Sequence, residues 1–260
     1  MDGRIAFTGG VNISSSYANS SLFRSHRHSQ EKVGWRDTHV QIEGPAVAAL
    51  QWEFLNHWVS QQAAPLSDGD FFPAPVTAGA TLLRVLASEP EGDQEIYRAY
   101  LLAIRSAKTS VHITTAYFAP DANILQALME ASRRGVDVTL ILPAVRESSL
   151  VFYAGHALYQ QLLESGIHLY QLQISVLHAK TAVIDSVWST VGSANMDTRS
   201  FLHNHELNVM VFDEAFGQAM ESAFEEDRRF SLPMTLQQWQ ERPALDRLKE
   251  WLSSRLAYWL

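Results

Sequence analysis

The sequence predicts an α/β fold: a mixed sheet flanked by helices on both faces, with one complete repeat preceded by the end of another. Three observations predict it. From residue 81 onward, short runs rich in Val, Ile and Leu alternate with longer segments of helical period. The runs are apolar almost throughout, as strands covered on both faces are. And the opening of the chain echoes a stretch far downstream.

The echo aligns Asp2-Gly-Arg-Ile-Ala-Phe-Thr-Gly9-Gly10-Val-Asn12 with Asp185-Ser-Val-Trp-Ser-Thr-Val-Gly192-Ser193-Ala-Asn195, at a constant offset of 183 residues. Further on, Leu50 and Phe54 match Met220 and Phe224 at an offset of 170. The difference is extra loop in the first copy, and the polar stretch 14–34 can hold it. A repeat this long predicts two related halves rather than a solenoid.

In chain order, Arg4 to Thr8 reads as a strand closed by Gly9-Gly10, and His39 to Glu43 alternates like a second. Gly44-Pro45 opens a helix to about Trp58, with Val47, Leu50, Phe54 and Trp58 on one face. Residues 60–80 carry Pro65, Gly69, Pro73, Pro75 and Gly79 and read as a linker. Strand Thr81–Ala87, helix Gln94–Ala107 and strand Ser110–Tyr117 follow. Asp121 N-caps a helix that Gly135 stops after Arg134. Strand Val136–Leu142, a helix over Leu150–Glu164, and strands at Ile167–Leu172, Leu177–Ile184, Ser189–Gly192 and Leu207–Phe212 come next. A helix over Glu214–Phe230 and two short helical pieces end the chain. The expected organisation is a remnant of a first repeat at 1–64, a linker at 65–80, a complete second repeat at 81–232 and a helical extension at 233–260.

Composition narrows the function. Of the 260 residues, 47% are hydrophobic, enough for a sizeable core, and the charged fraction of 18% is too low for a disordered chain. A net charge of −8 argues against a nucleic-acid coat protein, whose phosphate contacts leave a basic footprint. No nucleic-acid partner is expected. The absence of cysteine excludes disulfides and thiolate metal sites. No run of 18 apolar residues occurs, and no apolar signal region follows Met1-Asp2-Gly3-Arg4. Ten histidines invite a metal reading. Yet His26 and His28, or His203 and His205, lack the spacings that zinc sites use, so no metal or cofactor is expected.

The informative segment is Leu177-His178-Ala-Lys180-Thr-Ala-Val-Ile-Asp185, followed by Gly192-Ser193-Ala-Asn195. Two-residue spacing in a strand puts His178 and Lys180 on one face, and Ser193 and Asn195 likewise on the next. An imidazole, an ammonium, a hydroxyl and an amide together suit a phosphate: Lys180 offsets charge, Ser193 and Asn195 donate to oxygens, and His178 attacks phosphorus or shuttles a proton. Asp185, at odd spacing, should lie off that face in a supporting role. A single strand histidine is most often a core residue, and a nearby Lys a solvated one. Here the flanks are apolar, and a buried Lys needs a partner.

This pattern, His-x-Lys-x4-Asp-x6-Gly-Ser-x-Asn, resembles the signature of the phospholipase D superfamily. Tyr117-Phe118-Ala119-Pro120, Arg134-Gly135-Val136-Asp137-Val138, Arg199-Ser200-Phe201 with Asn204 and Glu206, and Trp35-Arg36-Asp37-Thr38-His39 look like bacterial cardiolipin synthases in particular. The resemblance implies a phospholipase D-like sheet, two motifs paired across a pseudo-two-fold axis, and a metal-free, two-step displacement through a phosphohistidine. It implies phosphatidylglycerol as substrate, peripheral contact with the cytoplasmic side of a bacterial cell membrane, and catalytic roles for His178, Lys180 and Asp185. The first motif is represented here by Asp2 in place of Asp185, and by Gly10 and Asn12 in place of Ser193 and Asn195. Its His and Lys would fall seven and five residues before Asp2. An internal start, a fragment or decayed copy, or a pairing of two chains would each account for that. The runner-up reading is a phosphodiesterase with water as acceptor, and a non-enzymatic half-enzyme is the third.

Four features keep two readings each. Glu206 orients His178 or ends a strand. Tyr117 and Phe118 line a lipid entry or belong to the core. Arg24, His26, Arg27 and His28 touch anionic headgroups or sit in a solvated loop. Leu245, Leu248, Leu252, Leu256 and Trp259, at helical spacing, pack on the sheet or lie in a membrane interface.

Overall fold

The structure, a computed structural model, describes residues 2–13, 34–90, 92–144 and 149–255. Strand β1 (Ile5–Gly9), the two-residue β2 (Trp35–Arg36), β3 (His39–Glu43) and helix α1 (Ala46–Ser60) form the first copy. No helix or strand occurs from there to β4 (Leu82–Ser88), where the Pro/Gly-rich segment lies. Then come α2 (Glu95–Ser106), β5 (Ser110–Thr115), β6 (Phe118–Ala119), α3 (Ala122–Arg133), β7 (Asp137–Pro143), α4 (Ser149–His156), α5 (Tyr159–Glu164) and β8 (His168–Leu172). After these follow β9 (Val176–Leu177), β10 (Lys180–Ile184), β11 (Trp188–Gly192), β12 (Met196–Asp197), α6 (Thr198–Leu202) and β13 (Glu206–Phe212). Helix α7 (Glu214–Arg229), β14 (Ser231–Met234), α8 (Leu236–Gln240) and α9 (Ala244–Ser254) complete it. The polar stretch 14–33, including the basic cluster at Arg24–His28, lies outside the described residues, as do Leu256 and Trp259.

Eight strands make one mixed sheet in the order β14-β8-β7-β5-β10-β11-β13-β4. Its centre is parallel (β5 with β7, β7 with β8), and the β10–β11–β13–β4 side is antiparallel. The two-residue period sorts side chains between the faces. Ala182 and Ile184 of β10 join Ile96, Tyr100 and Ile104 of α2 and Leu128 of α3 in the larger core. Val183 between them points the other way, into a core with Val191, Val209, Met220 of α7, and Ile42 and Val47 of the first copy. Helices on both faces, as the sequence predicts, explain why these strands are apolar throughout. Asp121 caps α3 by accepting from the Ile124 amide at 3.0 Å, and Gly135 ends it at φ +87°.

The repeat is visible in the backbone. Strand β1 matches β11 residue for residue at the 183-residue offset, and Asp2-Gly3 and Asp185-Ser186 all adopt positive φ, between 52° and 63°. In the second copy that pair is the tight turn of the β10–β11 hairpin. Each strand then pairs antiparallel with the next but one, β1 with β3 and β11 with β13: Gly9 opposite His39, Gly192 opposite Asn208. Beyond this the copies differ. Phe224 of α7 is 5% exposed, and its counterpart Phe54 of α1 is 55% exposed.

Three segments depart from the sequence reading. The strand expected over Leu177–Ile184 is two strands, because Val176-Leu177 pair with Trp35-Arg36 while Lys180 onward enters the sheet beside β5; His178-Ala179 is the switch. The helix expected over Leu150–Glu164 breaks at Ala157-Leu158, two residues after Gly155. Gly155 sits so close to the Phe118 carbonyl that a Cβ there would lie 2.3 Å from its oxygen. Strand β14 runs across residue 232, where the helical extension is expected to begin, and pairs with β8. Phe118 is 4% exposed and belongs to the core.

Asp197 caps α6, its carboxylate accepting from the Ser200 amide at 2.7 Å, and burial pushes its pKa up to about 6. A carboxyl whose folded pKa exceeds its ordinary value of 3.8 stabilises the fold most when protonated, and that contribution is lost as pH rises from about 4 through 6. Asp197→Asn keeps the capping acceptor and removes the titration. In urea unfolding, the variant's stability relative to the parent is expected to rise by about 2 kcal/mol between pH 4 and pH 7.5. A pH-independent difference would refute the assignment.

Candidate active site

The site begins at the chain switch. Strand β9 lies parallel to β2, and the His178 amide donates to the Arg36 carbonyl at 2.8 Å, so residue 178 is fixed by the first copy. Its side chain is fixed the same way. Nδ1 lies 2.7 Å from the Asp37 Oδ2, and the Trp35 ring stands 4.9 Å away, centroid to centroid. A carboxylate only accepts, so Nδ1 carries a proton and donates it to Asp37. Asp37 is held in turn: its side chain is 2% exposed, its Oδ1 accepts from the Thr38 amide at 2.8 Å, and a Cβ on Gly10 would meet that oxygen at 2.2 Å. Gly10 is therefore glycine because the carboxylate passes over it.

Arg36 anchors this segment to α7. Its guanidinium forks onto both Asp227 oxygens, at 2.7 and 2.8 Å. Burial pushes the Asp227 carboxyl up against the pull of Arg36, and the net shift is upward.

Lys180, 4% exposed, starts β10, and its Nζ donates to the His178 carbonyl. Thr181 pairs with Val191, so Lys180 falls beside Gly192 at the end of β11, and Ser193 and Asn195 follow directly. The Ser193 hydroxyl donates to Glu206 at 2.5 Å and accepts from the Leu207 amide at 3.0 Å. Gly192 and the Ala194 amide pack against the Asn208 side chain, which accepts from that amide at 3.2 Å. The Asn195 Oδ1 is buried with no hydrogen-bond partner among the described residues. His178, Lys180, Ser193 and Asn195 thus gather at one end of the sheet.

The other site residues lie elsewhere or act differently. Asp185 sits at the opposite end of β10, where its carboxylate accepts from the amides of Lys108, Thr109 and Ser110 at 2.7–3.1 Å. Burial acts to raise its pKa, but these donors outweigh it and hold the carboxyl below the ordinary range. It staples the β10–β11 turn to β5 and does not approach His178. Asp2 occupies the equivalent turn and is exposed, as is Asn12. Glu206 does not orient His178: it holds Ser193 and Asn204, the latter at 3.1 Å. Asp37 takes that role, unassigned by the sequence reading. The strand pairing shows the signal. Aligning Gly9 with Gly192 makes His39 the counterpart of Asn208, and so Asp37 the counterpart of Glu206. Among the described residues, no group of three or more His, Asp or Glu side chains is placed to hold a metal ion.

Comparison with known proteins gives the same picture. Residues 100–228 match the family model described as "Cardiolipin synthase, PLD-like domain". Cardiolipin synthase 2 of Staphylococcus epidermidis is 35% identical over 261 aligned residues, covering 99% of this chain and 52% of that protein. Cardiolipin synthase of Geobacillus thermodenitrificans is 34% identical over 260, covering 99% and 50%. Residues 100–228 thus belong to the family of cardiolipin synthase, PLD-like domains, and similarity to cardiolipin synthases runs along 99% of the chain. It spans about half the length of the curated relatives it matches. Two solved structures share the fold. Phosphatidylserine synthase of Haemophilus influenzae superposes with a TM-score of 0.69 at 12% identity, over 98% of this chain and 67% of that one. The phospholipase D family member Nuc of Salmonella typhimurium gives 0.51 at 24%, over 60% and 99%.

Asp37→Asn tests the tautomer. The amide can offer its NH2 to Nδ1, which would move the ring proton to Nε2. Nitrogen-15 histidine spectra are expected to show His178 as the Nδ1–H form in the parent and the Nε2–H form in the variant, with a stability loss of about 1–3 kcal/mol. Identical ring spectra would show that Asp37 does not set the proton.

Proposed function

We propose that this protein transfers a phosphatidyl group between phospholipids, making cardiolipin from phosphatidylglycerol through a phosphohistidine. The observation that carries the reading is the buried Asp37 carboxylate on His178 Nδ1, which fixes the ring and assigns attack on phosphorus to the other nitrogen, Nε2. In the first step Nε2 attacks phosphorus, the P–N bond forms, and the P–O bond to glycerol breaks. The Lys180 ammonium and the Asn195 side chain meet the non-bridging oxygens, where charge accumulates. In the second step the alcohol of another phosphatidylglycerol attacks phosphorus, and the P–N bond breaks.

The glycerol oxygen needs a proton, and the attacking alcohol must lose one. A second imidazole, related to His178 by the repeat, would meet both needs. The repeat supports a place for it. Glu206 stands in the second copy where Asp37 stands in the first, so a first-copy histidine would find Glu206 as Asp37 is found by His178. Ser193 supports Glu206 where Gly10 makes room for Asp37. The complete site therefore takes a second His-x-Lys, supplied upstream in the same polypeptide or by a paired chain.

The test uses the present chain, and the same chain preceded by a segment carrying His-x-Lys-x4-Asp ending at Asp2. Each is incubated with phosphatidylglycerol vesicles, and the lipids are read by mass spectrometry. Cardiolipin from the extended form is expected, with His178→Ala lowering the rate at least about 1000-fold. Phosphatidic acid without cardiolipin would overturn the transferase reading in favour of hydrolysis. Catalysis that survives His178→Ala would remove His178 from the mechanism.

A further inference from the structure

Helix α9 is inside out for a helix of a soluble domain. Its inner face is polar. Glu250, 3% exposed, is gripped by the Arg242 guanidinium at 2.8 and 3.0 Å, and Arg242 lies over the Trp239 ring at 4.1 Å. Ser253 is buried as well. Lys249 donates to the Tyr153 hydroxyl at 3.2 Å and to Asp246 at 2.9 Å. The outer face is apolar: Leu245 is 62% exposed, Leu248 53%, Trp251 54% and Leu252 54%. At 100° per residue these four span an arc of about 120°, a continuous stripe rather than scattered exposure. Packing on the sheet, the other reading of these leucines, is not what they do.

The charges around the stripe choose its partner. Arg247 flanks one side and Lys249 the other, and the Arg255 guanidinium stacks on the Trp251 ring at 5.1 Å. The nearby acids are Asp246, paired with Lys249, and Glu241, bonded to Gln237. A chain of net charge −8 thus rims its exposed leucine stripe with cations. The sequence then continues Leu256-Ala-Tyr258-Trp259-Leu260. Leucine and tryptophan outward with basic residues alongside is the composition of a helix lying in a headgroup layer.

The placement fits. Helix α9 packs against α4, and α4 packs against β6 through the close approach of Gly155 to Phe118. Strand β6 pairs with β12, which directly follows Asn195. The stripe therefore belongs to the end of the sheet that carries His178 and Lys180. We infer that α9 is a membrane-docking helix that seats its Leu245–Leu252 stripe among the acyl chains of an anionic bilayer, with Arg247 and Arg255 at the headgroups. This goes beyond the transfer reaction and does not depend on turnover.

The chain has no cysteine, so one placed at Leu248 takes an environment-sensitive fluorophore uniquely; the seven native tryptophans would blur an intrinsic signal. A control label goes at Lys108, exposed at the opposite end of β5. With vesicles of phosphatidylglycerol and phosphatidylcholine, the Leu248→Cys probe is expected to blue-shift and the Lys108→Cys probe to stay unchanged. Binding in a flotation assay should rise with the phosphatidylglycerol fraction. Leu248→Glu with Leu252→Glu, both on the exposed face, should keep the parent's melting temperature and lower the vesicle-bound fraction at least tenfold. Unchanged flotation of that double variant overturns the inference. So does a Leu248 probe already blue-shifted without vesicles, together with a dimer in light scattering that the variant abolishes. That result would give the stripe to a second copy of the chain.

Discussion

The active end of this molecule depends on one hydrogen bond across a repeat boundary, from His178 Nδ1 to Asp37. An imidazole on its own carries no instruction about which nitrogen reacts. A buried carboxylate on one nitrogen supplies it, and here the carboxylate comes from the other copy of the repeat. Much nearby structure serves that contact. The two-residue pairing of β2 with β9 brings residues 37 and 178 into register, and Arg36 ties the same segment to Asp227 on α7. Gly10 leaves the volume that the carboxylate crosses. His178 lies where its chain has left one strand and not yet entered the next. That is why residue 178 escapes strand geometry while Lys180, two positions on, obeys it.

Much of this was legible in the residues, for reasons that differ by element. The central strands showed because burial on both faces leaves no polar position, and Asp121 and Gly135 marked α3 because capping is local chemistry. The echo from Asp2 to Asn12 was legible because the turn needs two residues at positive φ, and Asp-Gly and Asp-Ser meet that need in both copies. The break after Leu177 was not legible. Val176-Leu177 and Ala182 to Ile184 are apolar on either side of it, no Gly or Pro marks it, and only the presence of Trp35-Arg36 as a pairing partner decides that the strand divides. Asp37 was hidden for a related reason: its role follows from a contact 141 residues distant, and only the strand register makes it the counterpart of Glu206. The outward face of α9 was half legible. Periodicity showed a stripe, but which side of the helix would be buried depended on Arg242 claiming Glu250.

Similar sequence in the two copies has not produced similar environments. Phe224 is buried with Ile141, Leu172 and Leu177, and its ring stacks on His112 at 4.6 Å. Phe54, its counterpart, is more than half exposed beside Trp58. The helices differ in what they cover. Helix α7 contacts six strands of the large sheet, and it is tied down by Glu221 on His112 at 2.6 Å and by Asp227 on Arg36. Helix α1 covers β4 and the β1–β3 pair, which is two strands wide. A residue's burial is thus a property of the sheet beneath it, and apolar identity at matching positions records the helix face that the repeat presents, not the cover it finds.

The same logic explains how an acidic chain can hold a phosphodiester. Net charge governs long-range attraction, which salt screens beyond about 10 Å, whereas a bound phosphate responds to the few groups it touches. At this end of the sheet Asp37 is engaged by the imidazole and the Thr38 amide, Glu206 by Ser193 and Asn204, and Asp197 by the cap of α6 with a pKa pushed up to about 6. Lys180 sits among them with its charge buried, where each interaction is screened less than at the surface. The carboxylates are engaged in positioning, and the Lys180 ammonium is held by the His178 carbonyl. Under the proposed function, that local arrangement rather than the total of −8 is what an anionic headgroup would meet at this end of the sheet.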